Sequence, residues 1–236
     1  MHPLTSAGLQ VNPSDNRSAD SQVIAVDLDG TLVLTDTLHE YLLFLVKKEC
    51  FSIFLLPLWL MQGKAAFKAK LAERVKLSVA LLPYNQILID WLNDQRASGK
   101  KIILTTAADH RIANTVAEHL GLFDDVLVSD GTTNNASSNK SLLLDERFGL
   151  KSWDYAGNSY ADLNVWSAAN QAIVVNATDA IIQRAKKLGN VRLILPANKV
   201  TFLVWLKVIR LHQWLKNLLI FIPLLAAHQI GNIEFA

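Results

Sequence analysis

Between Gln22 and Leu195, short β-branched runs alternate with stretches whose apolar positions recur at helical spacing, the rhythm of strands and helices in turn. The runs predicted as strands are Val23 to Val26, Lys101 to Thr105, Val126 to Val128, Trp153 to Ala156, Ala172 to Val175 and Val191 to Leu195. Ile112, Val116 and Leu120 repeat at helical spacing before Gly121. Ile182, Ala185 and Leu188 do so before Gly189, each glycine standing where a left-handed cap ends a helix. Strands alternating with helices predict an α/β fold built on a Rossmann-like, doubly wound parallel sheet. Ahead of this rhythm, Met1 to Ser21 is rich in Ser, Asn, Asp and Pro and lacks the apolar centre of a secretory signal, so it reads as a disordered lead-in.

Two regions break the pattern. Far more residues separate the first two strands than a crossover requires, which predicts a helical cap inserted from Thr37 to Ser98. The cap holds an apolar stretch, Phe51 to Met61, followed by a basic one with Lys64, Lys68, Lys70, Arg74 and Lys76. That combination suits either the cap's own core or a membrane interface. After Pro196, Thr201 to Lys216 mixes apolar residues with Lys207, Arg210, His212 and Lys216, and Leu218 to Ala227 is continuously apolar. The chain thus divides into a lead-in (1–21), a main domain (22–198, with core 22–36 and 99–198 and cap 37–98) and a C-terminal amphipathic or transmembrane helical segment (199–236).

Composition narrows the partners. A chain of 236 residues with 51% hydrophobic content buries one good core, and a net charge of +2 gives no sign of a nucleic-acid binder. Cys50 is the single cysteine, so neither an internal disulfide nor a cysteine metal cluster is available.

The candidate chemistry lies in Asp27-Leu28-Asp29-Gly30-Thr31, directly after the first apolar run. Active sites of open parallel sheets gather at the carboxyl ends of strands, so two carboxylates one residue apart reach one pocket there. The first can attack phosphorus, and the second can give a proton to the leaving oxygen and take one from water. A plain surface turn is the competing reading. A calcium loop fits less well, because its glycine belongs at the sixth position and Gly30 comes fourth.

This motif resembles the first signature of the haloacid dehalogenase-like (HAD) superfamily, and matches to the others follow in order. Thr105-Thr106-Ala107-Ala108 resembles the second, a Ser or Thr at a strand end that binds the transferring phosphoryl group; Thr106 is the preferred residue, with Thr105 adjacent. Lys140, before a predicted helix, stands in the place of the basic third signature. Gly157-Asn158-Ser159-Tyr160-Ala161-Asp162 is similar to the fourth, except that Asn158 replaces the commoner first acid. The resemblance spans Val23 to about Leu195. It implies phosphoryl transfer through an aspartyl phosphate with Asp27, Asp29, Thr106 and Lys140 as catalytic residues. It also implies magnesium (Mg2+) held by Asp27, the backbone carbonyl of Asp29, Asn158 and Asp162. An amide at Asn158 ligates with one negative charge fewer than a carboxylate. Asp162 capping a helix from Ala161 to Asn170 is the plain alternative to its metal role. The presence of Asp29 favours a phosphohydrolase over a dehalogenase, because expelling an alkoxide needs an acid and expelling a halide does not.

Arg210 to Asn217, followed by Leu218 to Leu225, resembles the opening of UbiA-type polyprenyltransferases, in particular the branch related to decaprenyl-phosphate phosphoribosyltransferase. This resemblance implies a prenyltransferase domain in cis or trans, contact with membrane lipid, and a phosphorylated small-molecule or lipid-linked substrate. The basic residues before the apolar run put the HAD-like domain on the cytoplasmic side. A short amphipathic docking helix is the alternative, since the uncharged run is shorter than the roughly 20 residues a span needs. At the level of function, the alternative to an enzyme is a degenerate HAD module that docks or regulates a prenyltransferase, with Asn158 as the sign of decay.

Overall fold

Each of the six predicted apolar runs becomes a strand of one sheet in the computed structural model, which describes residues 10–11, 21–48, 50–75, 78–129 and 137–196. In chain order the elements are β1 (Gln10–Val11), β2 (Val23–Asp27), α1 (Thr37–Lys48), α2 (Leu56–Met61), α3 (Lys64–Arg74), α4 (Gln86–Ala97), β3 (Lys101–Asp109) and α5 (His110–Leu120). They continue with β4 (Asp125–Ser129), α6 (Ser137–Phe148), β5 (Trp153–Gly157), α7 (Asp162–Ala168), β6 (Ala172–Val175), α8 (Asp179–Lys186) and β7 (Val191–Leu195). Two 3-10 turns, Cys50–Leu55 and Val79–Leu81, complete the insertion.

The strand order is β1-β7-β6-β5-β2-β3-β4, with β2 to β7 all parallel. Every residue of β2, β5 and β6 is buried, as parallel strands covered on both faces require. Alternation along β2 sends Ile24 and Val26 into one apolar layer with Leu88 and Leu92 of α4 and Ile112 and Val116 of α5. Val23 and Ala25 enter the other layer with Leu144 of α6, Trp166 of α7 and Ile181 of α8. Helices on both faces make the sheet doubly wound. Register then aligns the chemistry: Asp27 pairs with Thr105 and Val26 with Ala156, so the ends of β2, β3 and β5 lie side by side.

Several details depart from the sequence reading. Within the expected disordered lead-in, Gln10–Val11 pairs antiparallel with β7, covering part of the sheet's otherwise open edge. Strand β3 continues past Thr105 to Asp109, with a register shift after Thr106. Helix α5 does end at left-handed Gly121, but α8 stops at Lys186 and reaches Gly189 through turn bonds from Leu188 N to Ala185 O and Gly189 N to Lys186 O. Helix α7 spans Asp162–Ala168, shorter than the Ala161 to Asn170 expected.

The insertion is also shorter than Thr37 to Ser98. Leu34 N donates to Pro83 O (2.8 Å), Asn85 N donates to Leu32 O (2.9 Å), and Val33 bridges antiparallel to Tyr84. This neck closes before α4 begins, so α4 is the crossover helix leading back to β3. Asn85 Oδ1 caps it by accepting from Leu88 N. Among the described residues no helix is long and apolar enough to cross a membrane; the segment 199–236, where one was expected, lies outside them.

Candidate active site

Asp27 is the last residue of β2, and the chain turns immediately behind it, with Leu32 N donating to Asp27 O and Val33 N to Leu28 O. The turn carries Asp29 round to the same opening, where its Oδ1 accepts from Thr37 N at 2.7 Å. An open cavity of ≈390 Å³ lies over this point, and its wall includes Asp27, Asp29, Asp36, Lys140, Asn158 and Asp162. Five of the six predicted site residues therefore meet in one place.

Lys140 enters from the first turn of α6 and is buried. Its Nζ stands 2.7 Å from Asp27 Oδ1 and donates to Tyr155 Oη at 3.1 Å. An ammonium only donates, so the Tyr155 hydroxyl must turn its own proton to Asp162 Oδ1, 2.9 Å away. Donation thus runs outward from Lys140, directly to Asp27 and through Tyr155 to Asp162. Burial pushes the Asp27 carboxyl up from 3.8 to about 7; Lys140 opposes this, and the nearby charges of Asp162 and Asp29 add to it. Burial works against the Lys140 ammonium as well, but Asp27 and Asp162 outweigh it and hold its pKa above the ordinary lysine value. The Tyr155 hydroxyl is pushed well up by burial and by the same two carboxylates. Asp29 is raised too, chiefly by burial and despite its bond from Thr37.

Thr106 is placed differently. It is fully buried, its Oγ1 accepts from Ala108 N at 3.0 Å, and the cavity wall at this signature is Ala107. The neighbouring Thr105, which faces Asp27 across the ladder, has a buried Oγ1 without a hydrogen-bond partner.

The loop after β5 folds around Asp162. Its Oδ2 accepts from Asn158 N (3.0 Å), Ser159 N (2.8 Å) and Ser159 Oγ (2.8 Å), while Oδ1 takes the Tyr155 proton. Asp162 begins α7 without capping it, because its bonds point back into the loop. Such close wrapping needs glycine: a Cβ on Gly157 would fall 2.7 Å from Asp162 Cγ and 2.8 Å from Tyr155 Cε1. Gly30, at φ +74, leaves room in the same way for the Asn158 side chain. Asn176, at φ 49 after β6, ties this contact down by donating to Gly30 O at 3.0 Å.

Sequence reasoning passed over Tyr155, Asn176 and Asp36. A tyrosine in a buried strand reads as core, and an asparagine after a strand reads as a turn; only Asp36, a second acid close behind the first signature, carried a visible signal.

The donor set bears on a metal. Four carboxylates in the cavity wall face one ammonium, and this crowding adds to the burial that raises the pKa of Asp27 and Asp29. An oxygen-seeking cation would relieve it, and the Asp27 carboxylate, the Asp29 carbonyl and the Asn158 amide are oxygen donors of the right kind. Among the described residues no group of three or more His, Cys, Asp or Glu is arranged to hold a metal ion. Asp162 in particular has both oxygens engaged by protein donors, so its geometry suits supporting the loop that presents Asn158 better than ligating directly.

No family model matches the chain. Over 202 residues, 84% of its length, it is 37% identical to the uncharacterized protein y4nM of Sinorhizobium fredii, and it spans 38% of that relative. Solved structures share its fold, among them these three. A protein of unknown function from Bordetella pertussis has a TM-score of 0.55 at 15% identity, covering 74% of this chain and 98% of its own. Phosphoserine phosphatase in its apo form has a TM-score of 0.52 at 14% identity, covering 76% and 95%. A HAD family hydrolase from Salmonella enterica has a TM-score of 0.50 at 16% identity, covering 69% and 64%. The main domain therefore has the α/β fold of HAD-type phosphatases.

Proposed function

We propose that this chain is a magnesium-dependent phosphomonoester hydrolase that works through an aspartyl phosphate on Asp27. The observation that carries this reading is the buried Asp27–Lys140 contact of 2.7 Å at the open end of the sheet, with Asp29 beside it in the same cavity. An Asp27 oxygen attacks phosphorus as the ester P–O bond breaks, and the departing alkoxide takes its proton from Asp29. Water then attacks the same phosphorus and gives a proton back to Asp29, releasing phosphate and restoring the Asp27 carboxylate. Lys140 offsets the charge that gathers on Asp27 and the phosphoryl oxygens. A bound magnesium would supply further positive charge, with Asp27, the Asp29 carbonyl and Asn158 as its protein donors.

The wider setting belongs to the same proposal. The domain sits on the cytoplasmic side of a membrane as the N-terminal part of a UbiA-type prenyltransferase fusion, and acts on a phosphorylated small-molecule or lipid-linked substrate rather than on nucleic acid. Support comes from the Arg210 to Leu225 resemblance and from the chain's spanning 38% of its relative. One feature favours a second reading, a non-catalytic module serving a prenyltransferase: Asn158 stands where a carboxylate is commoner.

Phosphate release from p-nitrophenyl phosphate separates the two. The enzyme reading expects magnesium-dependent turnover that Asp27→Asn lowers by at least about 10³-fold while the fold persists by circular dichroism. Turnover that survives either chelation or Asp27→Asn would rule it out, and a complete absence of turnover would favour the module.

A further inference from the structure

A second cavity of ≈340 Å³ lies between the insertion and the sheet and shares Asp29 and Asp36 with the first. It therefore opens at the side chain that, on the reading above, protonates the leaving oxygen. Most of its wall is apolar: Leu38 and Tyr41 from α1, Leu60 from α2, Phe67 from α3, and Ala108 and Ile112 from β3 and α5.

Each charged group in this wall already has a backbone partner. Asp29 Oδ1 accepts from Thr37 N and Asp36 Oδ1 from Leu38 N (2.8 Å); Lys68 Nζ donates to Ala107 O (2.7 Å), and Asp109 Oδ1 accepts from Arg111 N (2.9 Å). No buried side-chain atom left without a partner among the described residues belongs to this wall. Its charged groups are three carboxylates and one ammonium, a balance that repels anionic substituents.

We infer that this chamber receives the alcohol side of the substrate and selects an apolar, uncharged leaving group. This deepens the phosphatase reading and rests on it. At about 30 Å³ per methylene-sized group, the space takes roughly ten heavy atoms. Leu60, half exposed at the rim, lets a longer chain continue outward over α2. Despite the shared fold, a phosphorylated amino acid is a poor fit, because its carboxylate would meet three carboxylates against the one ammonium of Lys68, which already donates to Ala107 O.

The test uses the whole chain with magnesium and a series of ethyl, butyl, hexyl and octyl phosphates, beside O-phosphoserine. Binding of the corresponding non-hydrolysable alkyl phosphonates is measured by calorimetry. The chamber predicts that kcat/KM rises about fourfold per methylene, equivalent to about 0.8 kcal/mol, until the space is filled, with O-phosphoserine below butyl phosphate. Leu60→Glu, at a half-exposed site that tolerates charge, and Phe67→Ala should each cut the octyl-to-ethyl ratio tenfold or more. A flat series, or a preference for O-phosphoserine, overturns the inference while leaving a phosphatase. If no ester is hydrolysed, the catalytic reading fails and the phosphonates still decide: octyl binding tighter than ethyl upholds the chamber, and equal binding rejects it.

Discussion

Gly157 shows how closely the site is built. The atoms that an added methyl would meet are a carboxylate held by four hydrogen-bond donors and a packed tyrosine ring, neither able to swing aside. Gly157→Ala is therefore expected to destabilise the protein by about 1–3 kcal/mol and to displace Asp162 from Tyr155. Urea unfolding measures this, and an unchanged midpoint would show that the loop adapts. At this scale the sequence was most informative at Asp27 and Asp29, which directly follow an apolar strand run, while Lys140, Asn158 and Asp162 were legible through the ordered signatures of the resemblance. It was silent on Tyr155, whose importance depends on partners from two different helices. It was ambiguous between Thr105 and Thr106, because a strand's length decides which hydroxyl stays in the ladder.

Among the elements, the six parallel strands were legible as short β-branched and apolar runs, unbroken in β6 and along β2 up to Asp27, which are buried on both faces. Two-residue β1 was not, since edge pairing of Gln10–Val11 requires no hydrophobic pattern. The assignment of α4 to the insertion failed for a related reason: backbone bonds at Pro83 and Asn85 mark the boundary, and these leave no trace in side-chain periodicity. The stretch read as either cap core or membrane surface proves divided. Trp59 is buried, whereas Phe54, Leu58 and Met61 are exposed, Met61 at 85%. If the proposed membrane setting holds, Leu58→Glu with Met61→Glu should weaken sedimentation with anionic liposomes at least tenfold, each side chain losing on the order of 1.5 kcal/mol or more of apolar burial. Unaltered sedimentation would assign lipid contact to residues beyond Pro196. Both positions are solvent-facing, so thermal stability should not change.

For the molecule as a whole, the site sets a balance between stability and readiness for chemistry. The folded-state pKa of Asp27, about 7, lies above its unfolded value of 3.8. The protonated form therefore favours folding, and this contribution, complete below about pH 4, is lost as pH rises through 7. In chelator, the stability of Asp27→Asn relative to the unaltered protein should increase between pH 5 and pH 8 by an amount on the order of a few kcal/mol. Equal differences in urea unfolding at the two pH values would place the titrating group elsewhere. The neck carries a different kind of consequence. Because Leu32, Leu34, Pro83 and Asn85 meet through main-chain atoms, the insertion is attached by rungs that almost any sequence can supply. Residues 38–82 can then diverge as long as they keep the apolar face that Phe67, Leu71 and Leu82 share with Ile112 and Val116, while the ladder that holds Asp27 beside Thr105 stays as it is. What the protein acts upon and how it acts can then evolve on separate clocks.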